Sequence, residues 1–253
     1  MPIVRAGPHL FYFAHVPKCG GSAIEAYLAA RFGRIALLDT RHHARTADKR
    51  WSRTSPQHIS LDVCERLFPE GFFDHSFAVV RHPVARLVSA YYFQREIEQL
   101  PLARAGFSEW LETLPEMMEN DPFVFDNHTR PMVDLVPAEA KVFYLEHGLD
   151  ALVPWFDAIT GRKDAPRALR PINERKSRKA SGAKVVPSEH DLKLIEQLYA
   201  ADFARFGYAP DTKAPTAPPP HLTSEFISER DAELARAGRP GTWLREKLTR
   251  AMR

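Results

Sequence analysis

Two segments constrain the fold more than anything else in the chain. Phe11-Tyr-Phe-Ala-His-Val-Pro-Lys-Cys-Gly-Gly-Ser-Ala and Phe77-Ala-Val-Val-Arg-His-Pro-Val-Ala-Arg-Leu-Val-Ser both run from a short apolar strand through a turn into a helix. The first strand reads as Leu10 to Val16, and its helix as Ser22 to Phe32 with Ile24, Leu28 and Phe32 on one face. The second strand reads as His75 to Arg81. Its helix opens on Pro83, whose fixed φ suits a first turn, and carries Val84, Leu87, Val88, Tyr91 and Tyr92. Further apolar strands at 34–39 and 141–146 alternate with helical stretches. That order predicts an α/β fold, a central parallel sheet flanked by helices.

Each turn carries the equipment for an anion. In Pro17-Lys18-Cys19-Gly20-Gly21 the glycines let the backbone come close to a ligand, and the helix that follows offers free N–H groups and a positive dipole end. Lys18 adds a full charge, and Ser22 can cap the helix or bond a phosphate oxygen. The lysine precedes the glycines, so the turn is not a Walker A loop, and it is not G-x-G-x-x-G either. In the second segment Arg81 emerges at a strand C-terminus, where open α/β sheets bind ligands, and Ser89 lies on the helix behind it. An arginine fork with a hydroxyl makes a phosphate clamp. The plain alternative is a glycine-rich turn with a solvated lysine, and a surface arginine with a helical serine. Taken together, the two turns suit a ligand with two separate anionic groups.

The pair resembles the sulfotransferase superfamily, in particular its carbohydrate branch, the uronyl 2-O-sulfotransferases and their bacterial relatives. Val16-Pro17-Lys18-Cys19-Gly20-Gly21-Ser22 is similar to the family's 5′-phosphosulfate loop, with Cys19 and Ala23 where relatives often carry hydroxyl residues. Val80-Arg81-His82-Pro83-Val84-Ala85-Arg86-Leu87-Val88-Ser89 resembles its 3′-phosphate motif. The likeness extends through Lys141–Glu146 to the closing helix Leu198–Tyr208. It implies a P-loop-NTPase-like sheet and transfer of a sulfuryl group from 3′-phosphoadenosine 5′-phosphosulfate (PAPS) to a hydroxyl of a carbohydrate or glycoconjugate. The donor would be held by Lys18, Cys19, Gly20, Gly21, Ser22, Ala23, Arg81 and Ser89. No metal is expected, since the sequence holds no His-x-x-x-His pair, cysteine cluster or dense carboxylate motif.

Transfer needs a base and charge on the leaving phosphate. The resemblance gives the second role to Lys18. Among eleven histidines it points to His58, in Ser55-Pro56-Gln57-His58-Ile59-Ser60-Leu61, because the 2-O-sulfotransferases place the second histidine of a His-Gly-His before a short helix as the base. Only that second histidine stands here, and a capping or surface role is the alternative. His15 reads as a core residue. His42 and His43 sit in a basic loop facing the acceptor. His128 and Arg130, in Phe125-Asp126-Asn127-His128-Thr129-Arg130-Pro131, resemble a segment beside the acceptor cleft.

Between Arg162 and Lys184 nine Lys/Arg face only Asp164 and Glu174. A late basic loop closes over the nucleotide in sulfotransferases, which makes Arg175, Lys176 and Ser177 further donor-site candidates. A solvated charge run or a polyanion contact are the other uses of such a stretch. Nucleic-acid binding finds no support, because no aromatic residues interleave with the charges.

Net charge is only +3, so the basic loop is local, and the length suits one substantial core. The expected division is a sulfotransferase domain over 1–209, a Pro-rich linker over 210–222, and a helical tail over 223–253. Within the tail Ser224 to Ala237 reads as a helix capped by Ser224, and 241–253 as a basic amphipathic helix. That tail could pack on the domain, join a second subunit as a homodimer, or touch an anionic membrane weakly. No run approaches the about 20 apolar residues of a membrane span. The N-terminus lacks a signal-peptide pattern, and a cytoplasmic enzyme is expected. Cys19 and Cys64 imply no disulfide framework, and Cys19 reads as open to thiol reagents. Two other readings stay open: a protein that binds phosphoadenosine nucleotides without catalysis, and a nucleotide kinase-like enzyme, which the absent Walker A spacing disfavours.

Overall fold

The computed structural model describes residues 1–170 and 184–237. A four-stranded sheet runs in the order β1 (Ile3–Ala6), β2 (His9–Ala14), β3 (His75–Val80), β4 (Lys141–Tyr144). The last three strands are parallel, with Phe13 opposite Phe77 and Phe77 opposite Lys141. The first is antiparallel to β2, joined by Gly7-Pro8 with Gly7 at φ 62°. The sheet is therefore mixed, and the expected parallel sheet covers three of its strands.

The expected strand at 34–39 does not form. Ala36 makes one isolated bridge to Ile3, exchanging N–H···O bonds of 3.0 and 2.9 Å. The next residue, Leu37, turns to φ 54°, which no strand tolerates.

Alternation along β2 sets the two faces of the sheet. Phe11 and Phe13 point toward α1 (Gly21–Phe32) and α5 (Leu152–Thr160). There Phe13 stacks on Phe77 at 4.9 Å, and Phe11 meets Phe156 edge-on at 5.2 Å. Tyr12 points the other way, onto Phe73 at 5.0 Å. Short helix α2 (Leu61–Leu67) precedes β3, and α3 (Pro83–Phe93) follows it. Trp110 of α4 (Phe107–Asn120) packs against Tyr91 of α3 and donates its indole N–H to the buried Gln94 (2.8 Å). The C-terminal part of this layer is two helices, α6 (Glu189–Leu198) and α7 (Ala200–Phe206), separated at Tyr199. A capping box opens α6: Ser188 and Asp191 exchange hydrogen bonds of 2.8 and 3.1 Å.

Helix α8 (Ser224–Ala237) lies against the chain around α5. Its cap is Thr223 rather than Ser224, with the Thr223 hydroxyl accepting from Phe226 N–H at 3.2 Å. Phe226 is buried, and Arg230 pairs with Asp150 at 2.6 Å. Among the described residues no helix is long and apolar enough to cross a membrane. The expected helix at 241–253 lies outside the described residues.

Candidate active site

Strands β2, β3 and β4 end at the same edge of the sheet, so the residues just beyond them are neighbours. Arg81, one residue past β3, donates to the carbonyl of Lys18 at 3.3 Å and ties the two turns together. Past β4, Glu146 accepts from the His82 N–H (2.8 Å) and from the Tyr208 hydroxyl (2.9 Å). Ring Nε2 of His82 donates to the carbonyl of Ala209 (3.0 Å). The second turn is thus clamped from both sides.

The first turn bends through two left-handed residues, Lys18 (φ 68°) and Gly20 (φ 86°), before α1 begins at Gly21. A helix start leaves its first N–H groups without intrahelical acceptors. Ser22, one position into α1, is exposed there; Cys19 and Ala23 are buried. Gly21 has no room for a side chain, since a Cβ would lie 1.7 Å from Nε2 of His15. The His15 ring stacks on Phe13 and has Nδ1 2.8 Å from Glu25 of α1; burial lowers its pKa to about 4. His15 is the packed core residue it reads as, and it presses α1 into position.

Lys18 reaches from the first turn to α3. Its ammonium sits 4.0 Å above the ring of Phe93, at the end of α3. Burial lowers its pKa to about 8, with the charge of Glu98 opposing that fall. Cys19 is not open to thiol reagents: it is 1% exposed, and burial pushes its thiol up to about 12. Ser89 lies partly exposed on α3. Arg175, Lys176 and Ser177 lie outside the described residues.

Facing Lys18 is a nest of imidazoles built on one carboxylate. His58 is buried, in a tight turn before α2, with Nδ1 2.7 Å from Asp126 Oδ2. Asp126 also accepts from Ser55 N–H (2.6 Å, on Oδ1) and from the Ser55 hydroxyl (2.6 Å, on Oδ2). The half-exposed His43 lies with Nε2 3.1 Å from Oδ2, and that contact raises its pKa. These donors hold the Asp126 carboxyl far below the usual carboxylate range despite its burial.

Holding Asp126 there requires three consecutive left-handed residues: Phe125, Asp126 and Asn127, at φ 53°, 54° and 61°. Such backbone costs on the order of 1–3 kcal/mol per residue and persists only where its surroundings impose it. Asn127 supplies one restraint by donating to the His58 carbonyl at 2.7 Å. Arg86, buried on α3, supplies others by donating to the carbonyls of Pro17 (3.1 Å) and His128 (3.2 Å). Asp202 of α7 accepts from the N–H groups of Met132 and Val133, each at 2.9 Å.

His128 is buried with its ring between His58 (5.1 Å) and Phe93 (4.9 Å), and burial pushes its pKa well below the usual value. Arg130 is engaged by Asp134 (3.3 Å), Asp62 (3.6 Å) and the carbonyl of Pro122 (3.2 Å). Chemically, the arrangement offers a carboxylate-held imidazole with its Nε2 side turned away from that carboxylate. Beside it stand a lysine ammonium and a helix N-terminus.

A profile of the sulfotransferase family matches residues 1–209, most of the chain. The chain belongs to the sulfotransferase family. No curated protein and no solved structure matches it. Family membership makes the chain a sulfotransferase-type transferase acting on an acceptor substrate. Within this sulfotransferase, sequence reading did not find Asp126, Ser55 and Arg86. Asp126 left one signal: it sits in Asp-Asn, the residues that best tolerate left-handed backbone. Ser55 and Arg86 stand in segments singled out above, but nothing local marks their roles, since their partners lie 71 and up to 69 residues away.

Proposed function

We propose that this sulfotransferase moves the sulfuryl group of PAPS to a hydroxyl of a carbohydrate or glycoconjugate, on a P-loop-like sheet. In this reading the phosphosulfate lies on the turn Lys18–Ala23 and the N-terminus of α1. Arg81 and Ser89 take the 3′-phosphate, and Lys18 meets the negative charge that builds on the leaving phosphate. His58 accepts the acceptor's proton at Nε2. Asp126, which touches no substrate, positions His58: it takes the Nδ1–H, fixes the tautomer and stabilises the imidazolium. A turn-and-fork site of this kind fits a nucleotide with two anionic ends.

The observation that carries the reading is the 2.7 Å contact between His58 Nδ1 and Asp126, with the Lys18 ammonium over Phe93, whose ring meets His128 beside His58. A phosphoadenosine-binding protein without catalysis would have no use for a strained loop that aims a carboxylate at an imidazole. The test is transfer of labelled sulfate from PAPS across a panel of saccharide acceptors. His58→Ala should lower kcat about 100-fold or more, the usual range for a general base. Asp126→Asn should lower it less and displace the pH profile, while nucleotide affinity holds in both. Unchanged transfer in His58→Ala would remove the proposed base.

A further inference from the structure

The imidazole nest holds one imidazole, His128, for which the proposed transfer has no need. One ligand atom from each of His58, Asp126 and His128 falls in a group whose members all lie within 4.8 Å of one another. His128 is not explained by proton abstraction. It is 5% exposed, and its Nδ1 is buried without a hydrogen-bond partner. A buried polar atom left unpaired in this way costs free energy that a bound ion would recover. Two neutral imidazoles and a carboxylate are the donors that suit Zn2+, with bonds of about 2.0–2.2 Å and a fourth position left to water. Donors on a tetrahedron of that size stand roughly 3.3 Å apart. The 4.8 Å limit exceeds that spacing, so the donors draw together on the ion.

We propose that His58, Asp126 and His128 form a binding site for a divalent transition ion of the Zn2+ type. The backbone that carries the three donors is already held. Asn127 fixes the His58 backbone, Arg86 fixes the carbonyl of His128, and the left-handed run at 125–127 aims Asp126 inward. Orientation of ligands by surrounding hydrogen bonds is what gives metal sites their affinity. Occupation would withdraw His58 from proton abstraction, so that the ion acts as an inhibitor. That consequence rests on the function proposed above, whereas the binding does not.

The test uses the full chain in metal-free buffer. Zn2+ is titrated in competition with a chromogenic chelator, and Co2+ serves as the visible-absorbing substitute. One equivalent should bind at micromolar concentration or tighter, with the intense visible bands of four-coordinate Co2+. His128→Gln and Asp126→Asn should each weaken binding at least tenfold. His9→Gln is the control, since His9 and His75 form a separate imidazole pair with ring nitrogens 3.3 Å apart; it should leave binding unchanged. The Co2+ spectrum of the unsubstituted chain decides the matter even where a variant folds poorly. Weak binding of several equivalents with faint Co2+ bands overturns the proposal. So does tight binding that survives both substitutions, or that is lost in His9→Gln. Because no activity is measured, failure here leaves the transfer reading standing, and failure of transfer leaves the site standing.

Discussion

An imidazole serves as a base at one nitrogen only when the other is held, and the group that holds His58 lies 68 residues along the chain. That separation explains what was legible at this scale. Lys18, Arg81 and His58 sit inside or beside recognisable local patterns, so sequence alone singles them out. Asp126 is recognisable only once the fold has brought two distant loops together. Lys18 carries a prediction of its own. With its pKa lowered to about 8, the free protein's ammonium loses its proton as pH rises through that value. Above it, binding an anion beside Lys18 requires proton uptake, so affinity falls by up to about tenfold per pH unit. Titration with 3′-phosphoadenosine 5′-phosphate at pH 7 to 9.5 should show the fall, and Lys18→Arg should flatten it. A flat profile in the unsubstituted protein would place Lys18 away from the ligand's charge.

Among elements, the turn into α1 is the one whose packing most constrains the site. His15 fills the space where a Gly21 side chain would stand, so Gly21→Ala must displace either the ring or the start of the helix. We expect a loss of about 1–3 kcal/mol in stability, together with weakened nucleotide binding. Gly33→Ala, strained at φ 89° but at the far end of α1 with open space around it, should cost stability and leave binding intact. Melting curves and nucleotide titration of the two variants separate these outcomes; equal binding losses would detach the turn from the site. The strands of the parallel part announce themselves by apolar runs bounded by turn residues. Strand β1 was missed because four residues carry too little pattern, and Gly7-Pro8 was its only signal. The segment 34–39 misled for the opposite reason. Ile35, Ala36, Leu37 and Leu38 form an apolar run, but a left-handed Leu37 ends pairing after one bridge.

Over the whole molecule, charge is spent on joining pieces as well as on the site. Asp157 of α5 receives Arg31 (2.6 Å) from α1 and Arg167 (2.7 Å) from the segment beyond α5, and Arg167 reaches on to Glu229 of α8 (2.8 Å). Helix α8 therefore packs on the α1–α5 layer through buried Phe226 and this network. That packing rests on pairs more than 60 residues apart, such as Arg167 with Glu229, and no local pattern encodes them. In the proposed function the two turns together hold one nucleotide by its two anionic ends. Calorimetric titration with 3′-phosphoadenosine 5′-phosphate, against ADP as control, tests it most directly. Binding in the micromolar range or tighter that needs the 3′-phosphate, and that drops in Arg81→Ala, is the predicted result. Equal binding of ADP, or no binding of either, would contradict it.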